Sequence, residues 1–235
     1  RQITTVLGNA WHLLNPALSI LVYYVIFGIV LETDRGVDNF FLFLTIGLFT
    51  FRFTNLATVQ GAKSIVGNRG LMRVVWFPRV MLPTASTLTE TLASIPVYAV
   101  IVVVALVSGE PVTWRWLVVP VVFLTQTLFN AGAAMTAARM TTHFRDTLQF
   151  LPFIFRLLRY GSGVFFSVDA YVTNSDFALV FLLNPVYDFL TLTRWCFIDT
   201  AVDPIVLYST AAWTVIALVG GFLWFRAAEE RYDGD

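Results

Sequence analysis

Residues 80–107 read VMLPTASTLTETLASIPVYAVIVVVALV and contain a single charged side chain, Glu90. A helix needs about 20 mostly apolar residues to cross the hydrocarbon core of a membrane. This stretch is longer than that requirement, so it predicts a transmembrane helix and makes the chain a membrane protein.

The composition of the whole chain also fits a lipid environment. Of its 235 residues, 57% are hydrophobic and 13% are charged, whereas a soluble domain carries about 25% charged residues. The formal net charge is zero, so we expect no nucleic-acid partner. One cysteine and two histidines leave no ligand set for a metal ion, and we expect none to be bound.

Five further apolar stretches extend the pattern, and the fifth span is interrupted at Gly161-Ser162-Gly163. We therefore expect six transmembrane helices, at about residues 13–31, 40–62, 80–107, 116–138, 147–160 and 204–225. The predicted fold is all-α, in a single transmembrane domain that covers residues 1–235.

The basic residues predict the orientation, because cytoplasmic loops collect Lys and Arg. With the N-terminus inside, nine of the 15 basic residues lie on inner segments: Arg1, Lys63, Arg69, Arg73, Arg79, Arg139, Arg145, Arg226 and Arg231. The outer segments hold only Arg35, Arg115 and Arg194, together with most of the acidic residues. Both termini are therefore expected to be cytoplasmic.

Two segments differ from a plain helix bundle. Residues 64–75 are basic and partly apolar, which is typical of a short helix lying on the membrane surface or of a docking element for a cytosolic partner. Residues 161–203 contain apolar pieces that are too short to span, separated by Gly, Asn and Pro. Such pieces predict re-entrant or interfacial helices on the outer side.

Four charged residues lie inside predicted spans: Arg52, Glu90, Arg156 and Arg159. Such residues are costly in lipid and usually face a bundle interior or an aqueous path. At a rise of about 1.5 Å per residue, Arg52, Glu90 and Arg156 lie at similar depths, about 14 to 15 Å from the inner side. We therefore predict an ion pair between Glu90 and either Arg52 or Arg156. The pattern leaves open whether the pair only fixes helix packing or whether an arginine lines a path.

Several short motifs follow one another along the whole chain. They are Leu7-Gly8 with Trp11 and Pro16, Val25-Ile26-Phe27-Gly28, Asn68-Arg69-Gly70-Leu71, Trp76-Phe77-Pro78-Arg79 with Pro83, Phe144-Arg145-Asp146, and Leu183-Asn184-Pro185. In this order and on these predicted spans, the chain resembles the membrane subunit of ABC-2-type polysaccharide exporters, the family of O-antigen, teichoic-acid and galactan permeases.

The resemblance implies a mechanism in the bacterial cytoplasmic membrane. Two copies form a dimer around a path, two cytosolic ATPase subunits bind below, and a lipid-linked polysaccharide passes outward. The residues implied to couple to the ATPase are Ser64, Ile65, Asn68, Arg69, Leu71, Met72 and Arg73. The family's amphipathic gate helix is expected to lie mostly ahead of residue 1.

The sequence itself has no G-x-x-x-x-G-K-[ST] nucleotide motif. We therefore expect the chain to be no enzyme by itself and to hold no cofactor, with ATP and magnesium bound by the partner subunit.

Aromatic residues make up 16% of the chain, and their rings suit a path that holds a sugar polymer weakly at many places. The candidates for the path are Tyr23, Tyr24, Phe27, Phe49, Phe51 and Phe53. Packing and interfacial belts are the alternative role of such rings. Trp114, Trp116 and Trp224 stand at span ends and are interpreted as belt anchors.

Other functions remain open from the sequence. The same architecture serves permeases for drugs or lipids. An integral membrane enzyme acting on lipid-linked sugars would need paired acids, for which the outer candidates are Asp169, Asp176, Asp188, Asp199 and Asp203. A channel or secondary transporter would work without an ATPase.

The single lysine among the 15 basic residues suggests a GC-rich genome and favours cell-wall galactan as the cargo.

Overall fold

The computed structural model of the chain describes residues 18–30, 37–144, 146–168, 181–198 and 201–227. Every regular element in these ranges is a helix. We number the helices α1 Leu18–Val30, α2 Phe40–Gly67, α3 Arg69–Val74, α4 Met81–Val107, α5 Val119–His143, α6 Thr147–Gly161, α7 Pro185–Phe197 and α8 Pro204–Arg226. A 3₁₀ turn, Trp114–Val118, leads into α5, and α1 and α8 each contain a π-helical turn.

Four of these helices are long and apolar enough to cross a membrane: α2, α4, α5 with its leading turn, and α8. They correspond to predicted spans two, three, four and six, and α2 runs five residues beyond the predicted end, to Gly67. The described part of α1 is shorter, and residues 13–17 of predicted span one lie outside the described ranges. Helix α6 has 15 residues, a rise of about 22 Å, which is less than a full span.

Helix α2 is the central element of the fold. In its apolar window 78% of the residues are buried, against 22% in α4 and in α8. It packs on α4, α5, α6 and α7, and its Leu42, Leu44 and Ile46 have no exposed surface. Contacts with four neighbouring helices therefore place α2 at the centre of the bundle.

Contacts between helix ends define the two ends of the bundle. At one end the Asn39 amide donates to Glu110 Oε1 at 3.0 Å, which joins the start of α2 to the end of α4. At the other end the Arg139 guanidinium lies over the Trp224 ring, 4.4 Å from its centroid, and donates to the Trp224 carbonyl. We call this second end the basic end, because it also carries the exposed side chains of Lys63, Arg69, Arg73 and Arg226.

Helices α6 and α7 together cover the depth that one span would cover. Helix α6 starts at the basic end, and its last turn meets the start of α7, where Asn184 Nδ2 donates to Ser162 Oγ at 2.7 Å. In α7, Phe189 packs on Phe129 in the middle of α5, and Phe197 packs on Trp116 at the opposite end from the basic end. The re-entrant or interfacial helices predicted for residues 161–203 stay a prediction, because residues 169–180, 199 and 200 lie outside the described ranges.

Candidate functional site

One face of α2 carries polar side chains on the outer surface of the chain. Arg52, Gln60 and Lys63 are exposed, and Asn55 is half-buried. On a helix, steps of three, four, seven and eight residues return to the same side, so these four residues form one line along α2. We call them the polar stripe. They are conspicuous because the opposite side of α2 is the core of the bundle.

Helix α6 places further arginines beside the polar stripe. The Phe51 and Phe155 rings meet edge to face at 6.1 Å, which joins α2 to α6. Arg52 and Arg156 are the next residues after this pair, and both are exposed, so they lie at the same level on neighbouring helices. Arg159, one turn along α6, donates to the Tyr23 hydroxyl at 3.3 Å and lies over the Phe51 ring.

The other exposed surfaces of the spans are apolar, and this contrast separates lipid-facing from water-facing sides. The exposed apolar residues are Leu88, Leu92, Ile95, Val103 and Leu106 of α4, Val121, Leu124 and Leu128 of α5, and Leu207, Val215, Ile216 and Val219 of α8. Such surfaces suit hydrocarbon, whereas exposed arginines at mid-span require water or a polar partner. The side of the chain with the polar stripe is therefore the candidate site.

The predicted ion pair is not formed within one chain. Glu90 lies half-buried on α4. In the described ranges, however, Glu90 makes no direct ion pair with Arg52 or Arg156. The reason is geometric, because both arginines point to the exposed surface rather than into the contact between α2 and α4.

The predicted aromatic path residues divide into two groups. Phe49, Phe51 and Phe53 of α2 are 4%, 1% and 2% exposed. Their rings pack inside the chain, where Phe53 stacks on Phe123, so they are core residues rather than a surface that cargo can touch. The sequence pattern did not reveal this, because aromatic residues alternate with polar ones along the predicted span.

The three candidates on α1 keep some exposure. Tyr23, Tyr24 and Phe27 are half-buried. Phe27 stacks on Phe165 at 4.5 Å between ring centroids, and Tyr23 packs on the same ring at 5.0 Å. These rings border the arginines of α6 and remain candidates for the edge of a path.

A buried arginine that the sequence analysis placed on an outer segment proves central to the α6–α7 connection. Arg194 of α7 is 6% exposed, and it donates to the carbonyls of Gly163 at 2.9 Å and Val164 at 3.1 Å. Its guanidinium also lies over the Phe43 ring, 3.4 Å from the centroid. Non-helical backbone at membrane depth needs such internal partners. Its position within an apolar helix, between Leu192 and Cys196, was the available signal in the sequence.

The outer acids do not form a catalytic pair in the part of the chain that the structure describes. Asp188 is buried and accepts a hydrogen bond from Ser209 Oγ at 2.6 Å. Asp203 caps α8, since its Oδ1 accepts from the Ile205 amide at 2.9 Å. Both carboxylates thus have structural partners. The remaining candidates, Asp169, Asp176 and Asp199, lie outside the described ranges.

The predicted coupling segment begins inside α2. Ser64 and Ile65 are 5% and 3% exposed, because α2 continues through them and buries them against α5 and α8. The residues that project from the basic end belong to α3 and the turns beside it. Exposed are Asn68, Arg69, Leu71, Arg73, Val74 and Trp76, while Met72 is half-buried. We call residues 68–76 the docking loop.

Comparison with known proteins agrees with the resemblance. The chain is 26% identical to the O-antigen export system permease protein RfbA of Myxococcus xanthus, over 96% of this chain and 86% of the relative. It is 25% identical to the O-antigen export system permease protein RfbA of Klebsiella pneumoniae, over 99% and 88%. It is 22% identical to the polysialic acid transport protein KpsM of Escherichia coli, over 95% and 87%.

No protein-family model matches the chain. The similarity to polysaccharide-export permeases is nevertheless confirmed along nearly its whole length, and the relatives are named as permease or transport proteins rather than as enzymes.

Proposed function

We propose that this chain is the membrane-spanning subunit of an ATP-driven exporter in the bacterial cytoplasmic membrane. Its cargo is a lipid-linked polysaccharide, either cell-wall galactan or an O-antigen-like glycan. The similarity to O-antigen and polysialic acid export proteins supports this function. The observation that carries it is the polar stripe, in which Arg52 is exposed at mid-span on a helix that is mostly buried.

The polar stripe requires a second surface that keeps it away from lipid. A second copy of the chain supplies one, because two stripes facing each other across a symmetry axis enclose a polar path. Helix α6 borders the stripe and exposes the apolar side chains of Phe150, Phe153 and Leu157. These residues offer the contact surface beside the path, so the proposed assembly is a homodimer.

The proposed topology has six spans with both termini cytoplasmic. The basic end is the cytoplasmic end, in keeping with the preference of Lys and Arg for that side. Helices α1, α2, α4, α5 and α8 are spans one, two, three, four and six, and α6 with α7 takes the place of span five.

The docking loop is the proposed contact with the cytosolic ATPase subunits, which bind ATP and magnesium. It exposes two cations, Arg69 and Arg73, beside the apolar side chains of Leu71 and Trp76, which is 90% exposed. Asn68 joins the loop to α2, because its Nδ2 donates to the Ser64 carbonyl at 2.7 Å. A displacement of the loop by the ATPase therefore moves α2, and with it the polar stripe.

The test is co-purification from the native membrane. We expect a soluble nucleotide-binding subunit to co-purify with the full-length protein, and the double variant Arg69→Glu, Arg73→Glu to lose it. The matched control is Arg226→Glu, which reverses an exposed cation at the same end but outside the docking loop.

Two outcomes would contradict the proposal. If no ATPase accompanies the wild-type protein and transport proceeds without ATP, the exporter mechanism is wrong. If the Arg226→Glu control loses the ATPase as completely as the double variant, the docking loop is not the specific contact. Export assays with defined glycans and with drug or lipid cargoes decide the class of cargo.

A further inference from the structure

We infer that the arginines beside the polar stripe bind an anionic headgroup, of the phosphate or diphosphate class, on the lipid that carries the cargo. The inference deepens the proposed function and rests on it. Arg52 on α2 and Arg156 on α6 form the centre of the site, with Arg159 behind them and Asn55 one turn toward the basic end. The ligand is therefore an anionic lipid headgroup of the phosphate or diphosphate class.

The arginines of the site outnumber the acids beside them. Arg52 and Arg156 follow the contact between the Phe51 and Phe155 rings, and Arg159 lies over the same Phe51 ring. Glu90 of α4, at a similar depth by the helical rise, is half-buried. Among the described residues, α6 itself contains no acid, and Asp146 precedes it as the N-cap at the basic end. Three guanidinium groups at mid-span thus share one half-buried carboxylate.

A symmetric dimer keeps the same ratio of arginines to acids at each site. A second copy brings the same three arginines and the same glutamate to the path, so the excess of positive charge doubles with the number of sites. Uncompensated cations at this depth are costly unless an anion or water meets them. A cargo that carries its own anionic group supplies the missing charge during passage.

The cations of α2 follow one another from the basic end toward the middle of the helix. Lys63 lies at the basic end of the polar stripe, and Arg52 lies eleven residues further along α2, a rise of about 16 Å. A headgroup that enters at the cytoplasmic end thus meets Lys63 first and the paired guanidinium groups deeper inside. Guanidinium forks are the side chains best suited to phosphate oxygens, because they donate two parallel hydrogen bonds.

The test measures lipid binding to the full-length protein in nanodiscs of neutral phosphatidylcholine by native mass spectrometry. The probes are undecaprenyl diphosphate, the uncharged undecaprenol, and inorganic pyrophosphate as a soluble competitor. We expect the wild-type protein to prefer the diphosphate to the alcohol. Arg52→Gln and Arg156→Gln should each weaken binding of the diphosphate about tenfold, the effect of one charge-assisted hydrogen bond, and leave binding of the alcohol unchanged.

The control variants separate the effect of charge from the effects of fold and of position. Arg52→Lys retains the charge and should retain most of the affinity, whereas Arg226→Gln removes an exposed cation away from the stripe and should have no effect. Equal binding of diphosphate and alcohol would overturn the inference, as would equal losses in Arg226→Gln and Arg52→Gln. If inorganic pyrophosphate displaces the lipid at equal concentration, the site serves free phosphate and the lipid headgroup is excluded.

This test and the test of the proposed function fail independently. Co-purification of the ATPase with no preference for the diphosphate refutes only the headgroup site. A clear preference for the diphosphate without an ATPase partner refutes the exporter, while the phosphate site stands on its own.

Discussion

Replacing Arg194 by Met should destabilise the connection between α6 and α7 more than any change on the surface of the chain. Met keeps the apolar stem and removes the guanidinium, so the carbonyls of Gly163 and Val164 lose donors at 2.9 and 3.1 Å. A hydrogen bond from a charged group contributes about 1.5–3 kcal/mol. The buried guanidinium itself costs free energy to desolvate, which offsets part of the two bonds. We therefore expect a net loss of about 3 kcal/mol.

The assay is thermal unfolding in detergent, followed by tryptophan fluorescence. For a chain of this length about 1 kcal/mol corresponds to about 2–4 °C, so Arg194→Met should lower the apparent Tm by about 6–12 °C. Arg194→Lys should recover part of the loss, because an ammonium group has donors but lacks the planar fork that reaches both carbonyls.

Gly47 provides a sharper control of the geometry. A Cβ on residue 47 would stand 2.7 Å from Arg194 Nη2, so Gly47→Ala should displace the guanidinium and lower the apparent Tm. In the Arg194→Met background the same change should cost less than half as much, since the crowded atom is gone. Equal costs in both backgrounds would refute the contact between Arg194 and Gly47, and with it this account of the connection.

Two further predictions concern the packing between spans. Gly132→Ala directs its Cβ against the backbone of Ala217 and should lower the apparent Tm strongly. The control Gly220→Ala meets nothing within 4 Å and should leave the apparent Tm unchanged. Equal effects of the two substitutions would refute the close approach of α5 and α8. Gln126→Leu removes hydrogen bonds to Tyr98, Thr54 and the Thr50 carbonyl, and at about 0.6 kcal/mol for each bond in a membrane protein it should cost about 2 kcal/mol. The exposed Gln149→Leu is its control in the same assay, and a similar shift in both would show that the network contributes little.

The spans themselves were predictable because they depend on a long-range average of hydrophobicity. Residues 80–107 predicted α4 within one residue at its start, and residues 204–225 predicted α8 as closely. The ends of the second and fourth spans were placed five residues too early. The apolar pattern weakens at Gln60 and Lys63, yet α2 continues to Gly67, and α5 likewise continues to His143. Exposed polar residues on one side do not stop a helix whose other side stays buried.

The side on which a residue lies could not be read from the same pattern. Arg52 and its neighbours Phe51 and Phe53 belong to one apolar run, yet Arg52 is exposed and both rings are buried. The hydrophobic periodicity of α2 is weak because nearly all its sides are apolar, and the burial of one side is decided by α4, α5 and α6. Phe49, Phe51 and Phe53 are therefore core residues, whereas the role of the charges beside them stays a prediction.

The same geometry links the two proposed contacts of the chain. Helix α2 is one continuous helix of 28 residues that carries the polar stripe and ends at Asn68, where the docking loop begins. No proline interrupts it, and a Pro would be the usual cause of a kink. A displacement of the docking loop is therefore transmitted through the continuous helix α2 to Arg52, about 22 Å from the end of that helix. Inserting a flexible glycine pair after Gly67 should therefore uncouple ATP hydrolysis from export while both the ATPase and the lipid still bind. Each binding surface stays intact, and only the rigid link between them is lost.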